Sequence, residues 1–162
     1  MNAKKGSAPI AEGNVFLVPL NDASYAVGQI LAISKKALNS CLCAFFDIHL
    51  TTGVEKLDEP LTEGGLIAVQ FVTIDLLKKG VWIGIGHRSV ALDVEKYVPL
   101  MRLEQSGYVG AKIIGSGIIR EFLSAYYALR PWDTWHDPNY LDKLLVPERK
   151  RPANVMLTKT AS

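Results

Sequence analysis

The order in which two residue patterns occur along the chain restricts its fold more than any other feature. Short apolar runs rich in valine, isoleucine and aromatic residues, separated by turn residues, fill the chain to about residue 114. Apolar residues at the helical spacing of three and four follow only after that point. The first pattern predicts strands and the second predicts helices. Strands first and helices last are typical of the α+β class, so we expect a strongly bent antiparallel sheet or small β-barrel with C-terminal helices.

The first two predicted strands form a β-hairpin. Residues 14–20 and 25–34 are apolar runs on either side of a turn that contains Asn21 and Asp22. Gly28 lies inside the second run, which predicts a bulge or a sharp bend at that point. Further strands are predicted over residues 41–50, 66–72, 81–86, 94–102 and 108–114.

Three helices are predicted. A short one over 73–80 has Thr73 as its N-cap and Gly80 at its C-terminal end. A longer one follows Ser116 and is apolar at positions 119, 122, 123 and 126, ending at Arg130 because that residue precedes a proline. The last begins at Asp137 and Pro138 and runs to about residue 145.

The length of 162 residues suits one globular domain, and the net charge of +2 is unevenly distributed along it. We expect a flexible N-terminal arm over 1–12, a single globular domain over 13–146 and a basic C-terminal tail over 147–162. The arm carries two lysines against one glutamate, and the tail carries four basic residues against one glutamate. The domain is therefore slightly acidic, which argues against nucleic acid as a partner because a nucleic-acid-binding domain needs a basic patch on its folded surface.

Acidic residues are concentrated in the third predicted strand and the loop that follows it. Between positions 47 and 63 there are five acids and one lysine. Complementary charge accelerates association and fixes register, so these acids are candidate contacts for a basic partner. The five are Asp47, Glu55, Asp58, Glu59 and Glu63.

A second candidate contact region lies between the last two predicted helices. It places Trp132, Asp133, Trp135 and His136 within five residues. Exposed tryptophans are common at the centres of protein interfaces. The alternative is that the tryptophans hold the helices on the sheet while Asp133 and His136 satisfy loop amides. The sequence leaves both interpretations open.

No residue pattern indicates catalysis, a cofactor or a metal. The glycines at 84 and 86 lack the third glycine and the following helix of a nucleotide-binding loop, and His87 has no nucleophile or orienting partner in a known motif. Cys41 and Cys43 would lie on one face of a strand with their Cα atoms about 6.5–7 Å apart, near the limit for a disulfide. We expect both thiols to be reduced and buried, and Cys-x-Cys is not the usual zinc-ligand spacing.

The N-terminal residues carry two lysines but no apolar core of about 7–15 residues, so they do not form a secretory signal. No apolar run approaches the roughly 18 residues of a membrane span. We expect a cytoplasmic protein with no membrane association.

Three stretches together resemble the immunity protein 26 family of bacterial polymorphic toxin systems. They are Gly-Asn-Val-Phe-Leu-Val-Pro-Leu over 13–20, Tyr-Ala-Val-Gly-Gln-Ile-Leu over 25–31 and Val-Trp-Ile-Gly-Ile-Gly-His over 81–87. The resemblance covers residues 13–115. It implies a mostly β protein that is encoded beside a toxin, which it binds and neutralises, and it supplies no catalytic residues. The residues that match the family pattern are interpreted as fold determinants: Gly13, Phe16, Pro19, Tyr25 and Gly28.

The leading hypothesis is therefore a non-catalytic immunity protein that occludes a cognate toxin domain, for which a basic nuclease is one candidate. The alternative is a nucleic-acid-binding module on a small β-barrel. A third hypothesis, an enzyme of unrecognised type, would need His87 or His136 in a deep pocket beside a nucleophile. The oligomeric state is left open.

Overall fold

The computed structural model describes residues 10–33, 39–54 and 56–158. The strands are β1 (Asn14–Pro19), β2 (Tyr25–Ile33), β3 (Ser40–Leu50), β4 (Leu66–Thr73), β5 (Ile83–His87) and β6 (Ile113–Ile114). The α-helices are α1 (Asp75–Lys78), α2 (Leu100–Gln105) and α3 (Ser116–Tyr126). Single 3-10 turns are formed by Glu63–Gly65, Val94–Lys96 and Leu141–Leu144.

The six strands form one mixed sheet in the order β5-β1-β2-β3-β4-β6. Strands β1 to β4 make an antiparallel meander, β5 pairs antiparallel with β1, and β6 pairs parallel with β4. The α+β class is confirmed. Of the two expected sheet forms, the small barrel is not supported because the sheet is open, and the antiparallel sheet is mixed because β6 pairs parallel with β4. The chain crosses from β4 to the far side of β1 before forming β5, so among the described residues β5 and β6 are the two edges of an open sheet.

Both faces of the sheet are covered, and the alternation of β3 shows how. Cys41, Cys43 and Phe45 belong to a core with α3, whereas Leu42 and Phe46 belong to a second core on the opposite face. Successive side chains of a strand point to opposite faces, so β3 is buried on both sides over residues 40–46. The second core is closed by the loop after β3 and by the chain from residue 90 to 113.

The two cysteines lie together in the first core. Both are buried and neither forms a disulfide, and their Sγ atoms lie 3.4 Å apart. Burial raises the pKa of the Cys43 thiol well above its ordinary value, and the neighbouring thiol of Cys41 adds to this. The placement agrees with the interpretation of two reduced core cysteines.

Gly28 does not form a bulge. It pairs in regular register with Phe16 of β1 and Phe45 of β3, and the irregular positions of β2 lie between Tyr25 and Val27 and between Ile30 and Ala32. Glycine is present because the Phe16 and Phe45 rings pass directly over its Cα.

Within the described residues 56–158, one predicted strand is absent and another is shortened to two residues. Over 94–102 the chain forms a 3-10 turn and then α2, which Pro99 precedes as N-cap residue. Over 108–114 only Ile113–Ile114 is a strand, because Gly107, Tyr108 and Gly110 have positive φ angles that an extended strand cannot contain.

Two of the three predicted helices are present but shorter, and the third is replaced by a 3-10 turn. Helix α3 ends at Tyr126, and Ala128 just beyond it has a φ of 61°. The helix predicted from Asp137 is a 3-10 turn at Leu141–Leu144, and α1 begins at Asp75 rather than beside Thr73. No helix in the described part of the chain is long and apolar enough to cross a membrane.

The described part of the predicted tail lies against the globular domain. The Trp132 amide donates to the Met156 carbonyl at 2.8 Å, and Arg149 contacts β4 as described below. Most of the predicted N-terminal arm falls outside the described residues.

Candidate functional site

The residues predicted to contact a partner lie on different sides of the sheet. The acidic loop, residues 51–63, follows β3 and carries the acids other than Asp47; it packs on the second core through Leu57 and Leu61. The tryptophan loop, residues 132–136, contains Trp132, which belongs to the first core on the other face. A single flat partner surface therefore cannot cover the acidic loop and the tryptophan loop together.

The acidic loop presents exposed carboxylates from an anchored backbone. Asp58 and Glu59 are exposed, and Glu55 lies outside the described residues. The Arg88 guanidinium donates to the backbone carbonyls of Leu57 and Glu59. Arg88 follows β5 directly, so this contact ties the loop to the edge of the sheet while the acidic side chains stay in solvent.

Glu63 is the most strongly held acid of the loop. Its carboxylate accepts a hydrogen bond from the Tyr97 hydroxyl at 2.6 Å and pairs with the Lys96 ammonium at 3.6 Å. The Tyr97 hydrogen bond, and then the Lys96 charge, lower the pKa of Glu63, and Glu63 in turn raises the pKa of Lys96. Lys96 also lies 3.9 Å from Glu148, so three segments of the chain meet at this point.

Asp47 is partly neutralised by a contact that the sequence pattern did not reveal. Its carboxylate lies 3.4 Å from the Arg149 guanidinium and accepts from the Tyr127 hydroxyl at 3.1 Å. Arg149 also donates to the carbonyls of Leu66 and Gly64 at 2.8 and 3.0 Å. Burial raises the pKa of Tyr127, and Asp47 raises it further.

Arg149 lies in the segment that is predicted to be a basic C-terminal tail. In the structure its guanidinium holds the C-terminal segment against β4. No local pattern could have identified it, because three of its four side-chain partners lie 83 to 102 positions away in the sequence and the fourth, Tyr126, lies 23 positions away.

The tryptophan loop divides into buried and exposed residues. Trp132 is fully buried beside Phe122 and its indole donates to Asp142 at 3.1 Å, so it is a core residue rather than a surface contact. Trp135 is half-buried against Tyr140. The four candidate positions thus keep one fully exposed member, His136.

Asp133 already has partners within the chain. Its carboxylate accepts hydrogen bonds from the amide and the hydroxyl of Thr158, at 2.8 and 2.9 Å. The alternative interpretation is that the tryptophans hold the helices on the sheet and that Asp133 satisfies a backbone amide. The positions of Trp132 and Asp133 agree with it.

His87 lines a small cavity of about 220 Å³ beside Arg88 and the acidic loop. No carboxylate, hydroxyl or thiol is among the described side chains that line it. The ring also explains Gly13, because a Cβ added to Gly13 would lie 2.5 Å from the His87 Nε2 atom. In the part of the chain that the structure describes, no group of three histidine, cysteine or acidic side chains is placed to hold a metal ion.

The fold and these surfaces define a small α+β protein that presents charged loops on an antiparallel meander. A family model described as Immunity protein 26 matches residues 11–117, which include all six strands and the acidic loop. The chain belongs to the immunity protein 26 family, as its strand motifs predicted. No curated protein matches the chain, and no solved structure matches it.

Proposed function

We propose that this chain binds a cognate bacterial toxin domain in the cytoplasm and neutralises it by occlusion, without catalysing a reaction. Membership of the immunity protein 26 family carries the proposal. A protein that acts by occlusion needs a rigid, exposed surface of defined charge rather than an enclosed reaction site.

The acidic loop is the proposed contact for a basic toxin, such as a nuclease with a basic substrate groove. Its exposed acids lie within the family match, Arg88 holds its backbone at Leu57 and Glu59, and Tyr97 holds Glu63 at its C-terminal end. A loop that is already held in position loses little conformational freedom on binding, so more of its contact energy appears as affinity. Asp58 and Glu59 are the proposed central pair, and Glu63 and Glu55 are further proposed contacts.

The remaining candidates are proposed as weaker contacts. Asp47 already pairs with Arg149, and Trp135, Asp133 and His136 lie beyond the end of the family match.

The test uses the toxin domain encoded next to this chain. Co-expression of the full chain should rescue cells from that domain, and titration calorimetry should show a complex. Neutralising the central pair with Asp58→Asn and Glu59→Gln should weaken binding about five- to tenfold, since rim charges each contribute up to about 1 kcal/mol. The affinity of this variant should also depend less on salt, because fewer ion pairs remain to be screened.

Asn139→Lys is the control, because it adds positive charge at an exposed position outside the loop. Absence of both rescue and binding with the unaltered chain would refute the proposed function. Unchanged affinity of the Asp58→Asn, Glu59→Gln variant would refute only the acidic loop as the contact.

A further inference from the structure

A groove of about 590 Å³ lies beside the sheet. One wall is β4 at Val69 and Phe71, and the other is the chain from Tyr97 to Lys112, which includes α2. Cavities of about 300–1,000 Å³ are large enough to enclose a ligand or several side chains of a partner. The acidic loop does not line this groove, although Tyr97 connects the two.

The groove combines apolar walls with positive charge. Val98, Leu103, Val109 and Ala111 are among the apolar side chains that line it. The charged side chains at the groove are Arg102 and Lys112, and no acidic side chain lines it.

These two cations are available to a partner. Arg102 and Lys112 are both exposed, and neither forms an ion pair with another described residue. A ligand that complements the groove therefore carries carboxylates beside aliphatic side chains.

The turn after α2 exposes an apolar side chain beside the cations. Val109 is 76% exposed, and Met101 on α2 is 64% exposed. Such side chains gain free energy when a partner removes them from water. An exposed apolar side chain that lines a groove beside two cations suits an interaction site.

The turn that presents Val109 is held in a defined conformation by contacts with the rest of the chain. Gly107, Tyr108 and Gly110 all have positive φ angles, and the Tyr108 amide donates to the Leu103 carbonyl at 2.7 Å. The Tyr108 ring packs edge-on against Phe71 of β4, with ring centroids 6.0 Å apart. A non-glycine residue is kept in the left-handed region only where its surroundings hold it there, so the wall is preorganised.

We propose that this groove binds an acidic, aliphatic segment of the cognate toxin, with Arg102 and Lys112 pairing with its carboxylates. This inference rests on the proposed function and adds a second contact of opposite charge to the acidic loop. Glu63 and the groove share Tyr97, so the toxin would meet negative charge on one side of Tyr97 and positive charge on the other. Such a pair of opposite charges fixes the orientation in which the partner binds.

The test measures affinity of the full chain for the adjacent toxin domain. The double variant Arg102→Glu, Lys112→Glu should bind at least tenfold more weakly, because like charges then face each other. Val109→Asp should weaken binding in the same direction while leaving the urea midpoint unchanged, since that side chain is largely in solvent. The control Lys78→Glu, Lys79→Glu makes the same change of charge on two exposed residues, the last residue of α1 and the one after it, and should bind like the unaltered chain.

The outcomes separate this inference from the proposed function. If the unaltered chain binds the toxin and the groove variants bind equally well, the groove inference is overturned and the proposed function stands. If the unaltered chain does not bind the toxin, both fall. Sedimentation that shows a dimer lost in Arg102→Glu, Lys112→Glu would overturn the inference in favour of a second copy of this chain. Salt-sensitive binding of RNA that the same variant loses would overturn it in favour of a nucleic acid.

Discussion

Replacing Gly28 by alanine tests the packing at the centre of the sheet. Gly28 lies in β2 between Phe16 of β1 and Phe45 of β3. An added Cβ would lie 2.5 Å from Cζ and 2.6 Å from Cε2 of Phe16, and 3.1 Å from Cδ1 of Phe45. Carbon atoms in contact sit about 3.5–4.0 Å apart, so the Phe16 ring would have to move by about 1 Å.

The ring has no space into which it can move. Phe16 is 1% exposed, and its ring stacks on Trp82 with centroids 5.3 Å apart and an interplanar angle of 8°. Phe45 packs edge-on against both rings, with each pair of centroids 6.0 Å apart. Overpacking of this kind costs about 1–3 kcal/mol, and the lower entropy of the unfolded alanine chain offsets about 0.4–1 kcal/mol of it. We expect Gly28→Ala to lower the free energy of unfolding by about 1–2 kcal/mol.

Equilibrium unfolding in urea, followed by tryptophan fluorescence, measures this change. Near-UV circular dichroism should also change, because Trp82 stacks on the displaced ring. The control is Gly117→Ala in α3, where no atom lies within 4 Å of the added Cβ and alanine should gain up to about 1 kcal/mol. A Gly28→Ala protein that unfolds at the same urea concentration as the unaltered chain would refute the close-approach explanation.

Three further predictions use the same purified protein. Arg149→Met should lower the free energy of unfolding by about 2 kcal/mol, because two backbone carbonyls lose a charged donor. The control Arg151→Met, at an exposed position, should change the free energy of unfolding by no more than about 0.5 kcal/mol. Equal effects of the two variants would contradict the anchoring role of Arg149. Hydroxyl hydrogen bonds lower the pKa of Asp75 below its ordinary 3.8, so its stabilisation is complete above that value and is lost as the pH falls through the lower folded pKa. Asp75→Asn should therefore lose about 1 kcal/mol at pH 7 and progressively less below pH 3.8 in urea titrations, and a gap independent of pH would count against this. Because Cys41 and Cys43 are buried and the pKa of Cys43 is raised, Ellman's reagent should react slowly with the folded protein and rapidly in guanidinium; fast reaction of the folded chain would contradict their placement.

Local pattern predicted most of the sheet. The hairpin of β1 and β2, the alternation of β3 and the strand at β4 all follow from apolar residues at a spacing of two, because each strand has to bury one or both faces. The period of α3 was equally clear. The same signals failed over 94–114, where Pro99 and three residues with positive φ interrupt an apolar stretch that otherwise resembles strands.

The candidate contacts were predicted less well than the strands. Composition identified an acidic loop, and the structure places Asp58 and Glu59 in solvent on an anchored backbone. It also identified a cluster of aromatic residues, but density in the sequence could not distinguish the buried Trp132 from the exposed His136. Whether a side chain of this segment is buried depends on what α3 and the later turns pack against. The sequence of the segment itself does not contain that information.

Residue periodicity by itself determined the α+β class and the positions of the main strands, because strand and helix formation depend on neighbours a few positions away. The family followed from the resemblance of three strand motifs and from the family match over residues 11–117. Tertiary structure decided whether the sheet closes, which charges are anchored and where a groove forms. Those features depend on groups that are distant in sequence, such as Arg149 against Leu66, or Arg102 and Val69, which line the same groove. Only the packed chain brings such groups within contact distance, and the balance of charge at the groove follows from that packing.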